Sequence, residues 1–269
     1  MTSSHDTLQR IHAALEAART VLKQFTPGAI EAEYKAGHDP VTEADRSVDA
    51  VLRKNLLRDG EGWLSEESVD DFSRLDKRRV WVVDPLDGTR EFVQGIPEFC
   101  VSIAMVEDGI PVAGGICNPA TGELILGSRE TGVTYNGQPA QPSQRKDLHG
   151  ALVLASRSEV KRGEWKQFES AEFNIRPMGS VAYKLGLVAA GKADLTFTLV
   201  PKNEWDVAAG AALVESAGGF ILTLDNSPLR CNQRNPLLSG LLGGGPFLRT
   251  PLLTMLDRHA QTVGNDKAR

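Results

Sequence analysis

The spacing of apolar residues changes near Gln141-Pro142, and this change limits what the chain can fold into. Before that point, short apolar runs such as residues 80–83 and 101–106 are separated by tight-turn signals such as Asp108-Gly109. Short strands joined in this way predict an antiparallel sheet with helices on one face. The first half of the chain is therefore predicted to be α+β.

The second half alternates strands with helices. We predict a strand at 152–155, a helix from Ser180 to Ala190 closed by Gly191, a strand at 195–200 and a helix from Asp206 to Ala217. This order is typical of an α/β layer, so we expect an α+β domain over residues 1–146 and an α/β domain over 147–269. No Gly/Ser-rich linker separates them, and they are expected to share an interface.

Two helices are predicted ahead of the strands. The first has an apolar face through Ile11 and Leu15 and ends near Pro27-Gly28, and the second begins at Thr42. Thr42 and Asp45 have the spacing of a capping box, in which each side chain binds a free backbone N–H.

The composition excludes several classes of partner. The 30 Lys+Arg and 35 Asp+Glu residues are interspersed and give a net charge of −5, so no basic stripe attracts a DNA or RNA polymer. No apolar run approaches the ~20 residues that cross a bilayer, and the N-terminus lacks the features of a signal peptide. We expect a cytoplasmic protein with no membrane partner. The scattered Cys100, Cys117 and Cys231 are expected to be reduced and buried.

Two carboxylates follow the apolar run at 80–83. Pro85 turns the chain so that Asp87 returns beside Asp84, and two carboxylates this close repel unless a cation lies between them. Gly88-Thr89 then begins a short helix, whose free N–H groups can hold an anion. Adjacent cation and phosphate sites are what metal-assisted phosphoryl transfer requires. The alternative is an Asx-turn at Asp84 and a helix cap at Asp87.

Other acids strengthen the metal hypothesis. Glu66 and Glu67 follow the apolar Leu64, and Asp206 begins a helix of small residues, where its alternative role is an N-cap. Glu66, Asp84, Asp87 and Asp206 together supply enough hard oxygen ligands for two Mg²⁺ ions. No histidine or cysteine has zinc-type spacing, so zinc is disfavoured.

These segments resemble the signatures of a known family. Glu66-Glu67-Ser68, Asp84-Pro-Leu-Asp-Gly-Thr89 and Trp205-Asp206-Val-Ala-Ala-Gly are similar to those of the inositol monophosphatase superfamily, the Mg²⁺-dependent, lithium-sensitive phosphomonoesterases. Further matches are Asp39-Pro-Val-Thr-Glu-Ala-Asp45 and the segment 179–191, and the resemblance covers roughly residues 8–245. It implies the layered α-β-α-β-α sandwich of inositol monophosphatase and fructose-1,6-bisphosphatase, a small phosphate ester as substrate, and a homodimer.

The resemblance also implies the roles of individual residues. Glu66, Asp84 and the Leu86 carbonyl are expected to bind one Mg²⁺, and Asp84, Asp87 and Asp206 a second; Glu66 could hold a weaker third ion through water. The phosphate is expected to meet Asp87, Asp206 and the N–H groups of Gly88 and Thr89. Thr89, Asp45 and Glu66 are the expected catalytic residues, with the Thr89 hydroxyl orienting a metal-activated water for in-line attack. Lys35 is a candidate charge partner of Asp45, whose alternative role is helix capping.

Local features favour one branch of the superfamily. Arg90-Glu91-Phe92, Ser156-Arg157-Ser158 and Pro201-Lys-Asn203 resemble the 3′(2′),5′-bisphosphate nucleotidases, and Thr198 stands near where inositol monophosphatases carry a glutamate. Glu159 departs from the histidine that the nucleotidases commonly have. Lys184 is a candidate for a second phosphate, the alternative being a solvated helix lysine.

The expected reaction is thus hydrolysis of 3′-phosphoadenosine 5′-phosphate to AMP. Inositol 1-phosphate is the next candidate, followed by histidinol phosphate and sugar phosphates. A non-catalytic nucleotide-binding regulator that kept the fold is the alternative from another functional class.

Overall fold

The computed structural model describes residues 4–34 and 40–266, so that Lys35 lies outside the described residues. Its helices are α1 (Ser4–Leu22), α2 (Glu43–Leu56), α3 (Thr89–Val93), α4 (Arg157–Lys161), α5 (Val181–Ala189), α6 (Glu204–Ser216) and α7 (Arg249–Asp266). Its strands are β1 (Glu33–Tyr34), β2 (Pro40–Val41), β3 (Gly62–Ser65), β4 (Arg79–Asp87), β5 (Cys100–Glu107), β6 (Ile110–Asn118), β7 (Glu123–Ser128), β8 (Gly132–Tyr135), β9 (Gln138–Ala140), β10 (Leu152–Ser156), β11 (Asn174–Met178), β12 (Leu195–Thr198), β13 (Lys202–Asn203), β14 (Phe220–Thr223), β15 (Leu237–Leu238) and β16 (Leu241–Gly244). No helix in this part of the chain is long and apolar enough to span a membrane.

The first half forms a seven-stranded sheet in the order β3-β4-β5-β6-β7-β8-β9. Its strands pair antiparallel apart from β3 and β4, which are parallel. Asp108 and Gly109 both have positive φ, 50° and 77°, which is the backbone of a two-residue hairpin turn between β5 and β6. The predicted antiparallel meander is therefore present, with one parallel strand added at its edge.

Helices cover both faces of this sheet. Trp81 and Val83 of β4 belong to the core that contains α1 and α2, whereas Val80 and Val82 belong to the core that contains α5 and α6. The prediction of helices on one face was wrong, because successive side chains of a strand point to opposite faces and all four of these are apolar.

The second half forms a five-stranded sheet in the order β11-β10-β12-β16-β14. The 3₁₀ segment Glu164–Phe168 and α7 close its outer face through Phe168 and Leu252. The order of layers is α1/α2, first sheet, α5/α6, second sheet, α7, which confirms the predicted layered sandwich. The division into two domains stays a prediction, since α5 and α6 belong to a core that side chains of both sheets share.

Helix ends differ from the predicted ones by a few residues. Helix α1 ends at Leu22 instead of near Pro27, whereas the Thr42–Asp45 capping box is present at the start of α2. Helix α6 begins at Glu204 with Asn203 as its N-cap, so the alternative N-cap role for Asp206 was wrong. Asp206 occupies the third helical position and completes a capping box with Asn203.

Candidate active site

A pocket of about 290 Å³ opens where the end of β4 meets the first turns of α5 and α6. Asp45 lies behind the wall of this pocket and contacts it through Thr89. All the other predicted site residues line the pocket itself: Glu66, Asp84, Leu86, Asp87, Gly88, Thr89, Lys184 and Asp206. The chain thus brings residues more than a hundred positions apart to one concave surface.

Three carboxylates form a cluster at the base of the pocket. Oxygen atoms of Glu66, Asp84 and Asp206 all lie within 4.8 Å of one another. Burial, together with repulsion from the neighbouring acids, raises the pKa of both Asp84 and Asp206 above the ordinary aspartate value. Oxygen donors that repel one another in this way suit a hard divalent cation such as Mg²⁺, which neutralises them. The donor set therefore fits the predicted metal.

A break in the strand pairing orients Asp84 and Asp87, the two carboxylate ligand candidates of β4. The register between β4 and β5 shifts between Asp84 and Asp87, which pair with Ser102 and Cys100. Asp84 Oδ1 accepts a 3.0 Å hydrogen bond from the Leu86 N–H, as in an Asx-turn. The turn uses one oxygen of Asp84, so a turn and metal binding are compatible in the same residue.

The Thr89 hydroxyl lies between two acceptors. Its oxygen is 2.9 Å from both Asp45 Oδ1 and the Leu86 carbonyl oxygen, and it has one proton to donate. Asp45 Oδ2 in turn accepts from the Thr42 N–H at 2.7 Å and from the Thr42 hydroxyl at 2.6 Å. Asp45 therefore serves as a helix cap and as the partner of Thr89, as the sequence allowed. Burial raises its pKa despite these hydrogen bonds.

Asp87 is held by the other half of the chain. Its Oδ2 accepts from the Ser180 hydroxyl at 2.7 Å and from the Ala182 N–H at 2.6 Å, at the N-terminus of α5. Ser180 is also the N-cap of that helix, and its φ of 54° is uncommon for a serine. The sequence indicated Ser180 as a helix start, but nothing in it pointed to the contact with Asp87.

Similarity to known proteins shows the family of the chain. The model of the inositol monophosphatase family matches residues 4–252. The chain belongs to this family. Members are phosphatases that hydrolyse phosphate monoesters with the help of metal ions.

The relatives are similar over most of their length. The chain is 34% identical to an inositol-1-monophosphatase of Mesorhizobium japonicum over 80% of this chain and 84% of that protein. It is 32% identical to the Nus factor SuhB of Xylella fastidiosa over 87% of this chain and 88% of that protein. The solved inositol monophosphatase of Anabaena (Nostoc) superposes with a TM-score of 0.78 at 28% identity, covering 94% of this chain and 96% of that one.

Within this family fold, Asp49 supports the loop that carries Glu66. Its two carboxylate oxygens accept hydrogen bonds from Ser65 at 2.5 Å and from Ser68 at 2.8 Å. The Ser65 hydroxyl also accepts from the Glu67 N–H at 3.3 Å. The sequence did not point to Asp49, because an acid on the polar side of an amphipathic helix is ordinarily solvated.

Lys184 is buried, and so the alternative of a solvated helix lysine was wrong. Its ammonium donates to the backbone carbonyls of Ser180, Met178 and Gly179 at 2.8, 3.3 and 3.4 Å. These bonds use all three of its protons. Burial lowers the pKa of Lys184 to about 8. The role of Lys184 in binding a second phosphate stays a prediction. In this arrangement its protons are donated to carbonyls, so it can attract an anion by its charge but donates no hydrogen bond to it.

A second cavity of about 530 Å³ adjoins the catalytic pocket and shares part of its lining, including Ser156 and Arg157. We call its basic residues the basic annex: Arg90, Arg157, Lys161, Arg162 and Lys202. Arg157 is paired with Glu98, and Arg162 with Glu164. Lys202 lies 3.8 Å from Glu159. Glu91 also lines this cavity and lies 3.7 Å from Arg157, so basic side chains outnumber acidic ones in the lining although three of the five basic residues have acidic partners.

Proposed function

We propose that this chain is a Mg²⁺-dependent phosphomonoesterase, with a 3′(2′),5′-bisphosphate nucleotide as its preferred substrate. The observation that carries the proposal is the cluster of Glu66, Asp84 and Asp206 beside the hydrogen-bonded Thr89 and Asp45. Bound Mg²⁺ would lower the pKa of water and neutralise charge on the phosphate. We propose two ions per chain, held by Glu66, Asp84, the Leu86 carbonyl, Asp87 and Asp206.

The chain's own residues would then bind the ester and aim the nucleophile. The Thr89 hydroxyl donates toward Asp45 or Leu86, which leaves its oxygen to accept a hydrogen bond from the attacking water. The N–H groups of Gly88 and Thr89 are the proposed phosphate donors. Water attacks the phosphorus in line with the leaving oxygen, and no covalent phosphoenzyme forms.

The choice of a bisphosphate is supported by the basic annex. A substrate with one phosphate needs little positive charge beyond the metal site, whereas a second phosphate is stabilised by nearby ammonium and guanidinium groups. Thr198 is buried and hydrogen-bonded to Glu159, so a sugar hydroxyl finds no free carboxylate at this position. Inositol 1-phosphate is the second candidate, favoured by the name of the Mesorhizobium japonicum relative.

The decisive experiment is phosphate release with and without Mg²⁺ by the native chain and by Asp84→Asn. We expect the variant to lose more than about a hundredfold in kcat/KM, because removing a ligand should exceed the about 10- to 100-fold cost of losing a residue that only supports one. Thermal unfolding without Mg²⁺ is the control: Asn relieves repulsion among the buried carboxylates, so the variant should be at least as stable.

Three outcomes would change the proposal. An Asp84→Asn variant that keeps Mg²⁺-dependent activity would contradict the metal site. Nucleotide binding without turnover of any phosphomonoester would favour a non-catalytic regulator. A higher kcat/KM for inositol 1-phosphate than for 3′-phosphoadenosine 5′-phosphate would reverse the order of substrates.

A homodimer, which the family resemblance implies, is tested by light scattering on the purified chain.

A further inference from the structure

Lys202 stands at the junction of the two cavities. It lines the catalytic pocket with Asp87 and Asp206, and it also lines the annex with Arg157. Strand β13, to which it belongs, leads directly into α6, the helix that carries Asp206. Lys202 is one of the residues that line both cavities, so a substrate that reaches from the carboxylate cluster into the annex lies near this side chain.

A buried glutamate fixes one side of the Lys202 ammonium. Glu159 is 0% exposed, and its Oε2 accepts from Trp165 Nε1 at 3.1 Å and from the Leu199 N–H at 3.4 Å. Its Oε1 accepts from the Thr198 hydroxyl and lies 3.8 Å from Lys202 Nζ. A carboxylate without solvent needs such donors and a cation to remain charged. The opposite charges of Glu159 and Lys202 thus stabilise each other across the cavity wall.

The protons of Lys202 are still available. Its separation from Glu159 is longer than a hydrogen bond, and within residues 4–34 and 40–266 its ammonium donates no hydrogen bond. Lys184 differs, because its protons are used by three backbone carbonyls.

We infer that Lys202 is the residue that selects esters with a second anionic group, and that Glu159 is a positioning residue that holds its ammonium toward the substrate. The second group, a phosphate or another strong anion on the leaving-group side, lies in the annex while the scissile phosphate lies at the carboxylate cluster. This inference rests on the proposed phosphatase function and deepens it.

The test compares 3′-phosphoadenosine 5′-phosphate with adenosine 3′-monophosphate, which lacks only the second phosphate, at saturating Mg²⁺. Lys202→Met should raise KM for the bisphosphate about 10- to 100-fold, the range for a lost charged hydrogen bond, and change kcat/KM for the monophosphate less than about threefold. Lys166→Met, an exposed lysine outside both cavities, is the matched control and should leave both substrates unchanged.

The role of Glu159 is tested by a double-mutant cycle. Glu159→Gln alone should lower the preference for the bisphosphate about 2- to 10-fold, because the substrate must then order a free lysine side chain. Added to Lys202→Met, it should lower the preference no further. The double variant also removes the unpaired buried carboxylate, so it separates a loss of selectivity from a loss of folding.

Several results would overturn the inference. Equal losses on both nucleotides in Lys202→Met would make Lys202 structural, although the phosphatase function would stand. An increased preference in Glu159→Gln would show that Glu159 only weakens the charge of Lys202. If the native chain cleaves no ester, the proposed function fails, and the inference is then judged by equilibrium binding of the same two nucleotides: equal ratios in native chain and Lys202→Met contradict it.

Discussion

The carboxylate cluster and the basic annex are adjacent, yet they are held in different ways. Asp84 and Asp206 bind backbone N–H groups two and three residues away along the chain. In the annex, Arg157 depends on Glu98 of the first half, and Lys202 depends on Glu159 across the second half. Asp84 and Asp206 are thus fixed by local chain geometry, whereas Arg157 and Lys202, which face the rest of the substrate, are fixed by tertiary contacts.

This difference predicts two kinds of mutational effect. Substitutions beside the cluster should change the rate or the metal requirement for every substrate, since all esters share the scissile phosphate. Substitutions in the annex should change which ester is preferred. Residues at the seam between the halves, such as Ser180 and Lys184, should affect both the metal site and the stability of the fold.

Thr89→Val is expected to have the largest effect. It removes the hydroxyl between Asp45 and Leu86 while keeping the shape of the side chain. We expect kcat to fall about 100- to 10,000-fold on all substrates alike, the range for loss of a group that directs proton transfer. Thr89→Ser retains the hydroxyl and should stay within about tenfold of the native rate. A loss of activity in Thr89→Val that is confined to one substrate would contradict the distinction between the carboxylate cluster and the basic annex.

Lys184→Met should change how stability depends on pH. The Lys184 ammonium titrates at 10.5 in the unfolded chain and near 8 in the folded one, so between these values the unfolded chain binds more protons. The free energy of unfolding of the native chain should therefore rise between pH 8 and 10.5 relative to the variant, by at most about 3 kcal/mol. Urea unfolding of both chains at several pH values measures this. Parallel curves would contradict it.

Ser180→Ala removes the hydroxyl that holds Asp87 from the other half of the chain. Since this residue supports a ligand candidate without itself being one, the Mg²⁺ concentration for half-maximal activity should rise about 10- to 100-fold. The rate at saturating Mg²⁺ should recover most of its native value. An unchanged Mg²⁺ requirement would remove Asp87 from the metal site.

Lys161→Met is expected to have the smallest effect. Lys161 is exposed at the edge of the annex, where water and salt screen its charge. KM for the bisphosphate should rise less than about threefold at low salt and become native-like near 1 M salt. A large, salt-independent change would mean that the substrate contacts Lys161 directly.

The sequence predicted the parts of the fold and site that depend on neighbouring residues. The turn at the end of β4, the Thr42–Asp45 cap and the hairpin at Asp108-Gly109 each follow from a few adjacent residues. The layered order came from the family resemblance. Apolar periodicity alone did not show that both faces of the first sheet are covered, because it records which residues are buried without saying what buries them.

The contacts that the sequence did not show share one property. Ser180, Asp49 and Glu159 act through partners that are distant along the chain, and as isolated residues they look like an N-cap, a helix-surface acid and a loop acid. The carbonyls that accept from Lys184 belong to Met178, the last residue of β11, and to Gly179 and Ser180 before α5. Such contacts leave no spacing signal in a single sequence.

The bond from α5 to Asp87 has a consequence for the motions of the protein. Separating α5 from the end of β4 would remove both donors from Asp87 and so open the cation site. A cation that binds only the closed arrangement must then raise the free energy of this opening, by about 2.7 kcal/mol at a concentration one hundred times its dissociation constant. Amide hydrogen exchange in the first turn of α5 should consequently report Mg²⁺ binding in the absence of any substrate.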